Sequence, residues 1–182
     1  MRIALYGGSF NPIHNGHLIL ASFAKHELKL DKVIFVPSNI TPGKEKEIID
    51  AQTRFYMVSS LFDDDSDTYD VSDLETRRLG TSYTIDTVKI FKEIYPNDEL
   101  FLICGPDAIL TIEYWKDAEE LKNLIGIKIA NRDFYCPDVS IRSTQIRELL
   151  KNKLPITHLV PKSVEKFIIE NNLYGENNEH FL

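Results

Sequence analysis

Short apolar runs recur along the chain, and longer amphipathic stretches separate them. Ile3 to Tyr6, Val33 to Val36, Leu100 to Cys104 and Ile125 to Ala130 each have strand length. They barely alternate with polar residues, as expected of strands buried on both faces. A weaker strand is expected through Tyr69 and Val71. From His17 to Leu30, the apolar positions Leu18, Leu20, Ala21, Phe23, Ala24 and Leu28 share one broad helical face. Ala51 to Phe62 repeats the pattern, as does Thr84 to Tyr95, which Pro96 closes. Further on, Ser143 or Thr144 can cap a helix reaching about Asn152, and Ser163 to Asn172 forms a last amphipathic helix. Strand and helix alternate, which predicts an α/β domain: a doubly wound parallel sheet with helices on both faces and further helices at the C-terminus.

Composition narrows the class. The 182 residues suit one domain with a full core, burying roughly 70% of the unfolded surface. Lys and Arg number 21 against 28 Asp and Glu, a formal charge of −7. That balance excludes affinity built on neutralising a nucleic-acid backbone, so no nucleic-acid partner is expected. A small phosphate ligand is still compatible, because a nest of N–H groups and a few basic side chains can hold it. Every long apolar run meets a charge well short of the ~20 residues that span a membrane, so no membrane partner is expected. The apolar start is too short for a signal peptide, and Gly7-Gly8 interrupts it. Cys104 and Cys136 are the only cysteines, with no zinc-like spacing. The expected location is the reducing cytoplasm.

In open α/β sheets, ligands bind beyond the carboxyl ends of the strands. The first strand here runs into Gly7-Gly8-Ser9-Phe10-Asn11-Pro12-Ile13-His14-Asn15-Gly16-His17. Glycines allow a sharp turn and bring N–H groups close to a ligand. The helix that follows aims its positive end at the same place. His14 and His17 lie three apart at the helix start, so both imidazoles can face one anion, and Gly16 leaves room beside them. The pattern suits a polyphosphate whose charge grows during reaction. A tight turn with two surface histidines would be the bland reading of H-x-G-H alone; the longer string is far more specific.

The string resembles that of the H-x-G-H nucleotidyltransferase superfamily, and within it the bacterial nicotinate-mononucleotide adenylyltransferases. Members join ATP to nicotinate mononucleotide, releasing pyrophosphate and giving nicotinate adenine dinucleotide for NAD synthesis. Ser82-Tyr83-Thr84-Ile85-Asp86-Thr87 is similar to the family segment that binds the nicotinate carboxylate. Gly105-Pro106-Asp107 and then Trp115 match the family residues for ribose hydroxyls and pyridine stacking. Ile141-Arg142-Ser143-Thr144-Gln145-Ile146-Arg147 resembles the segment holding the ATP phosphates, which Lys44 and Arg132 would assist. The resemblance implies one Rossmann-like nucleotidyltransferase domain over 1–182; as a chain terminus, 175–182 is expected to be a frayed tail. The resemblance also implies Mg²⁺ carried mainly by ATP phosphates rather than by a protein cage, and a possible homodimer.

Several of these residues also have plain structural uses. Asp107 can cap a helix, Trp115 can be core, Arg132 and Arg147 can be surface arginines, and Ser143 with Thr144 can serve as a cap. The sequence departs from the family pattern in Thr41-Pro42-Gly43-Lys44, where a histidine usually precedes the lysine. Asp133 to Ser140 is shorter than usual, and Arg142 stands where serine is common. The absent histidine removes one potential phosphate or ribose contact. Phosphopantetheine adenylyltransferases usually have threonine at the place of His14, and cytidylyltransferases lack the tyrosine and tryptophan segments. Nicotinamide mononucleotide is the closer alternative acceptor. A non-catalytic nucleotide-binding module is the alternative of a different class. Pro42-Gly43-Lys44-Glu45 lacks the spacing of a P-loop, and Asp63 to Asp67 lacks the glycine and glutamate of a calcium loop. No motif surrounds His26, His158 or His180.

Overall fold

A computed structural model describes residues 1–62, 67–78, 80–105, 108, 110–129 and 140–175. Five parallel strands form one sheet in the order β3-β2-β1-β4-β5. They are β1 (Arg2–Gly8), β2 (Lys32–Pro37), β3 (Tyr69–Val71), β4 (Glu99–Cys104) and β5 (Gly126–Ile129). Ile3 pairs with Lys32 of β2 on one side and with Leu100 of β4 on the other. The order runs outward in both directions from β1, so the topological switch lies between β1 and β4. At the carboxyl ends there, Gly7 of β1 and Gly105 just past β4 both border open space, where the crevice of such sheets lies.

Strand side chains alternate between two cores. Ala4, Tyr6, Val33, Phe35, Phe101 and Ile103 pack beneath α1 (Asn15–Leu28), α2 (Ala51–Ser59) and the C-terminal helices α6 (Ser143–Lys151) and α7 (Lys162–Glu170). Ile3, Leu5, Ile34, Val36, Leu100 and Leu102 face the opposite way, against α4 (Thr84–Ile94) and α5 (Ala118–Leu124). The doubly wound α/β class is therefore the architecture found, and Cys104 is a buried core thiol whose pKa burial pushes up to about 12.

The predicted elements shift in instructive ways. α1 starts two residues earlier than expected because His14, in extended backbone, is its N-cap. α2 is capped by Asp50, whose Oδ1 accepts from the Thr53 N–H at 2.9 Å. It stops at Ser59, short of Phe62, where Ser59 and Ser60 hydroxyls donate back to the carbonyls of Phe55 and Met57. Two helices were not expected: α3 (Leu74–Arg77), of a single turn, and α5, which buries only Ala118 and Leu121.

Candidate active site

Gly7 and Gly8 close β1, still in register with Val36 and Pro37. The sharp turn falls after them, at Phe10 (φ 44°) and the cis Asn11–Pro12 bond. A Cβ on Gly8 would lie 3.1 Å from the Phe10 ring, whereas one on Gly7 would meet nothing within 4 Å. So Gly8 makes room for a buried phenyl ring, and Gly7 borders open space. Phe10 stands edge-on to His17 (centroids 5.1 Å) and to Tyr6 (5.5 Å).

The His14 and His17 rings lie against each other, centroids 3.7 Å apart and planes tilted by 31°. The His14 N–H donates to His17 Nδ1 at 3.2 Å, which assigns the His17 proton to Nε2 and makes that atom the donor. His14 is 6% exposed, and its Nδ1 has no protein partner among the described residues. Burial lowers the His14 pKa to about 4; burial and then the neighbouring His14 lower that of His17 well below its usual value. Both rings are neutral at pH 7. Gly16 is buried in the first turn of α1 between them.

The loop from Ser9 to Pro12 is held by its carbonyls. Arg54 Nη1 donates to Ser9 O at 2.6 Å, Arg147 Nη1 to Asn11 O at 2.6 Å, and Ser143 Oγ to Pro12 O at 2.8 Å. A trans peptide points its N–H opposite to its carbonyl, so the N–H groups of Phe10 and Ile13 face away from these donors. Oxygens that would repel an anion are thereby occupied, and N–H groups that attract one are left on the other side. The expectation that Ser143 or Thr144 caps α6 is corrected. Arg142 is the N-cap, and Ser143, the first helical residue, spends its hydroxyl on Pro12. The N-terminus of α6 has no side-chain cap; Thr144 is exposed on its first turn, Ile141 packs against the core, and Arg142 is exposed.

Lys44 is not beside the loop directly. Its Nζ lies 3.0 Å from both carboxylate oxygens of Glu47. Glu47 in turn accepts from Thr41 Oγ1 at 2.7 Å and from Asn11 Nδ2 at 3.2 Å. Although burial opposes it, these donors hold the Glu47 carboxyl below its usual pKa. Gly43 sits at φ 84° in a turn closed by Lys44 N to Thr41 O at 3.0 Å, a position that favours glycine. Thr-Pro-Gly-Lys is thus built for a tight turn.

Across the crevice, Ser82 anchors the start of α4. Its N–H donates to Ile40 O at 2.9 Å, and its Oγ accepts from the Asn39 N–H at 3.0 Å. Beneath it the buried Glu75 accepts from Thr87 Oγ1 at 2.5 Å, and burial raises its pKa. Tyr83 is the N-cap of α4 and Thr84 its first residue, with no side-chain cap. An uncapped helix start is suited to a carboxylate. Lys116 stands 4.8 Å over the Tyr83 ring and 3.2 Å from Asp86, tying the Trp115 segment to this helix start. Trp115 is half-buried against the α4-side core, its Nε1 donating to Thr111 Oγ1 at 3.3 Å. Gly105, just past β4, borders open space. Asp107, Arg132 and the 133–139 connection lie outside the described residues.

The fold therefore brings together Gly7, Gly8, Ser9, Phe10, His14, Gly16, His17, Ser143 and Arg147 on one side. On the other it places Ser82, Tyr83 and Thr84, with Trp115 near them. Sequence reasoning missed Arg54, Asn11, Glu47 and Tyr174, whose hydroxyl donates to Asn11 Oδ1 at 2.7 Å. Arg54 had a readable signal: it stands in phase with Ala51, Met57 and Val58 on the buried face of α2. Among the described residues, no group of three or more His, Cys, Asp or Glu could hold a metal ion, and no helix is long and apolar enough to cross a membrane.

A crevice at the sheet's switch point, flanked by two uncapped helix starts and a histidine pair, defines a nucleotide-binding α/β enzyme. The chain belongs to the cytidylyltransferase-like family, whose sequence profile matches residues 5–149. It is 39% identical to a protein of Shouchella clausii named probable nicotinate-nucleotide adenylyltransferase, over 98% of this chain and 99% of that one. It is 37% identical to a protein of the same name from Carboxydothermus hydrogenoformans, over 95% and 98% of the two chains. A crystal structure described as a nicotinate-nucleotide adenylyltransferase of Vibrio parahaemolyticus superposes with a TM-score of 0.78 at 25% identity, covering 95% of this chain and 94% of that one.

Proposed function

We infer that this protein transfers the adenylyl group of ATP to nicotinate mononucleotide, giving nicotinate adenine dinucleotide and pyrophosphate in NAD synthesis. The observation that carries the reading is the closely apposed, neutral His14–His17 pair at the start of α1, beside a loop whose carbonyls are turned away. The 5′-phosphate of the mononucleotide attacks the α-phosphorus of ATP, and the bond from that phosphorus to the bridging α–β oxygen breaks. A phosphate monoester with a second pKa near ~6 is already a dianion at neutral pH, so no protein base is required. Catalysis is positioning and charge stabilisation.

His17 Nε2–H donates to the α-phosphate as charge builds, and His14 holds the phosphates beside it. The start of α6, with Thr144 and the remaining N–H groups of Arg147, takes the β and γ groups; Lys44 reaches them from its Glu47 partner. Mg²⁺ enters as part of the nucleotide substrate, held by phosphate oxygens and water. The uncapped start of α4 receives the nicotinate carboxylate, and Trp115 stacks on the pyridine ring. An amide in place of the carboxylate forfeits the attraction of that helix end, which favours the acid. The buried thiol of Cys104 fits a protein working in a reducing compartment.

Pyrophosphate release from MgATP with nicotinate and nicotinamide mononucleotide in parallel tests the reading. Faster release with the acid, together with a dinucleotide product, is expected; release mainly with the amide would overturn the substrate. His17→Ala is expected to lower kcat by about 10²- to 10³-fold, as for loss of one donor to a developing charge. An unchanged melting temperature would separate that loss from unfolding.

A further inference from the structure

We propose that Arg54 is the positioning residue that sets the two nucleotide subsites in line with each other. The proposal rests on the adenylyl-transfer reading above. Arg54 is 0% exposed and lies on the core face of α2, touching neither subsite surface. Its guanidinium uses all three nitrogens on main-chain oxygens of three separate segments. Nε donates to Ile49 O at 2.9 Å, Nη1 to Ser9 O at 2.6 Å and Nη2 to Asn39 O at 2.8 Å. Ser9 belongs to the loop that leads into His14 and His17 at the start of α1. Asn39 belongs to the loop after β2, and that loop is wired to the other side of the crevice. Its N–H donates to Ser82 Oγ, its Nδ2 to Arg78 O at 2.8 Å, and its neighbour Ile40 accepts from the Ser82 N–H. One planar fork therefore spans the path from the phosphate loop to the start of α4.

Three features make this more than general packing. Burying a charged group is costly, and a core of this size could have used an apolar residue at position 54. The charge is instead compensated by carbonyl dipoles, two of them, Ser9 and Asn39, on the loops that lead to the two sides of the site. The rigid geometry of guanidinium fixes the angles between its partners, which a lysine ammonium cannot. And the reaction is one in which alignment is most of the catalysis, so a displacement of about 1 Å between the reactants costs about 10²-fold in rate. Arg54 also places a fixed positive charge behind the Ser9 carbonyl. Arg54→Lys keeps that charge and loses only the fork.

The experiment compares wild type, Arg54→Lys and Ser82→Ala for kcat, both KM values, and calorimetric affinities for each substrate alone. A non-transferable ATP analogue with a methylene between the α and β phosphorus serves as the nucleotide probe. Wild-type turnover with nicotinate mononucleotide checks the functional reading, and the ratio of variant to wild type checks this one. Arg54→Lys is expected to lower kcat by about 10²-fold while each substrate alone binds within a few-fold of wild type. Ser82→Ala, which cuts the same path on the surface side, is expected to lower kcat about 5- to 10-fold. The double variant is expected to be little worse than Arg54→Lys, because both break one path. A folded Arg54→Lys with wild-type kcat, or one whose whole loss appears in KM for ATP, would overturn the proposal. If Arg54→Lys does not fold, Ser82→Ala decides: wild-type kcat in that variant overturns the path, and a kcat loss with unchanged affinities supports it.

Discussion

His14 and His17 show how a site can store attraction for an anion without carrying charge. A histidine with a folded pKa near 4 binds fewer protons folded than unfolded once the pH drops below about 6.5. Its contribution to stability is therefore complete above that pH and is lost as the pH falls towards 4. For His14 the loss amounts to about 3 kcal/mol. Denaturant unfolding of the ligand-free protein is expected to show this slope, and His14→Ala to flatten it; an identical slope in the variant would rule out His14 as its source. ATP reverses the balance. A polyphosphate beside the paired rings favours their charged forms and raises both pKa values. Binding at pH 6 is then accompanied by proton uptake. Calorimetry in buffers of different ionisation enthalpy is expected to show it, and uptake is expected to fall towards zero by pH 8. A measured uptake of zero at pH 6 would mean that the rings act purely as neutral donors.

At the scale of elements, the junction of β1 and α1 is the most constrained part of the fold. The Phe10 ring is boxed by Tyr6, His17 and Phe35, with centroids 5.1 to 5.8 Å away. A Cβ on Gly8 would press on that ring at 3.1 Å, and the ring's retreat moves His17. Gly8→Ala is expected to destabilise by about 1–3 kcal/mol and to lower kcat as well, measured by thermal melting and pyrophosphate release. Full activity with an unchanged melting temperature would show slack around Phe10. Much of this was legible in the chain. β1, β2 and β4 announce themselves as unbroken apolar runs, and Gly-Gly, His-x-Gly-His and Ser-Tyr-Thr all fall at strand ends or helix starts. α3 and α5 were not legible, because short charged segments carry too few turns for a period to appear. Nor were the partners of the loop. That Ser143 sits on Pro12, and Arg147 on Asn11, depends on groups meeting across long sequence separations, which no local pattern encodes.

The whole molecule closes on the same loop from both directions. Asn11 is 2% exposed, and its amide group joins Glu47 through Nδ2 and Tyr174 through Oδ1, while its carbonyl accepts from Arg147. Residues from α6 and from beyond α7 thus converge on a turn that follows the first strand. The loop is consequently held in shape by residues of the C-terminal segment, and the phosphate site is coupled to the packing of that face. Tyr174→Phe probes this with the smallest change. It keeps the ring and removes one hydroxyl, leaving the buried Asn11 oxygen without its donor. Such a loss costs about 1–3 kcal/mol, and for a domain of this size each kcal/mol lowers Tm by about 2–4 °C. The loosened Asn11 also frees the Glu47–Lys44 pair that it steadies, so KM for ATP is expected to rise a few-fold while kcat changes little. A fixed excess of ATP stabilises only the folded form, by an amount that grows with the logarithm of its affinity. The gain in Tm that ATP gives is therefore expected to be smaller in Tyr174→Phe than in wild type. An equal gain in both proteins, with Tm lowered by the same amount throughout, would confine Tyr174 to holding the C-terminal face and detach it from the phosphate loop.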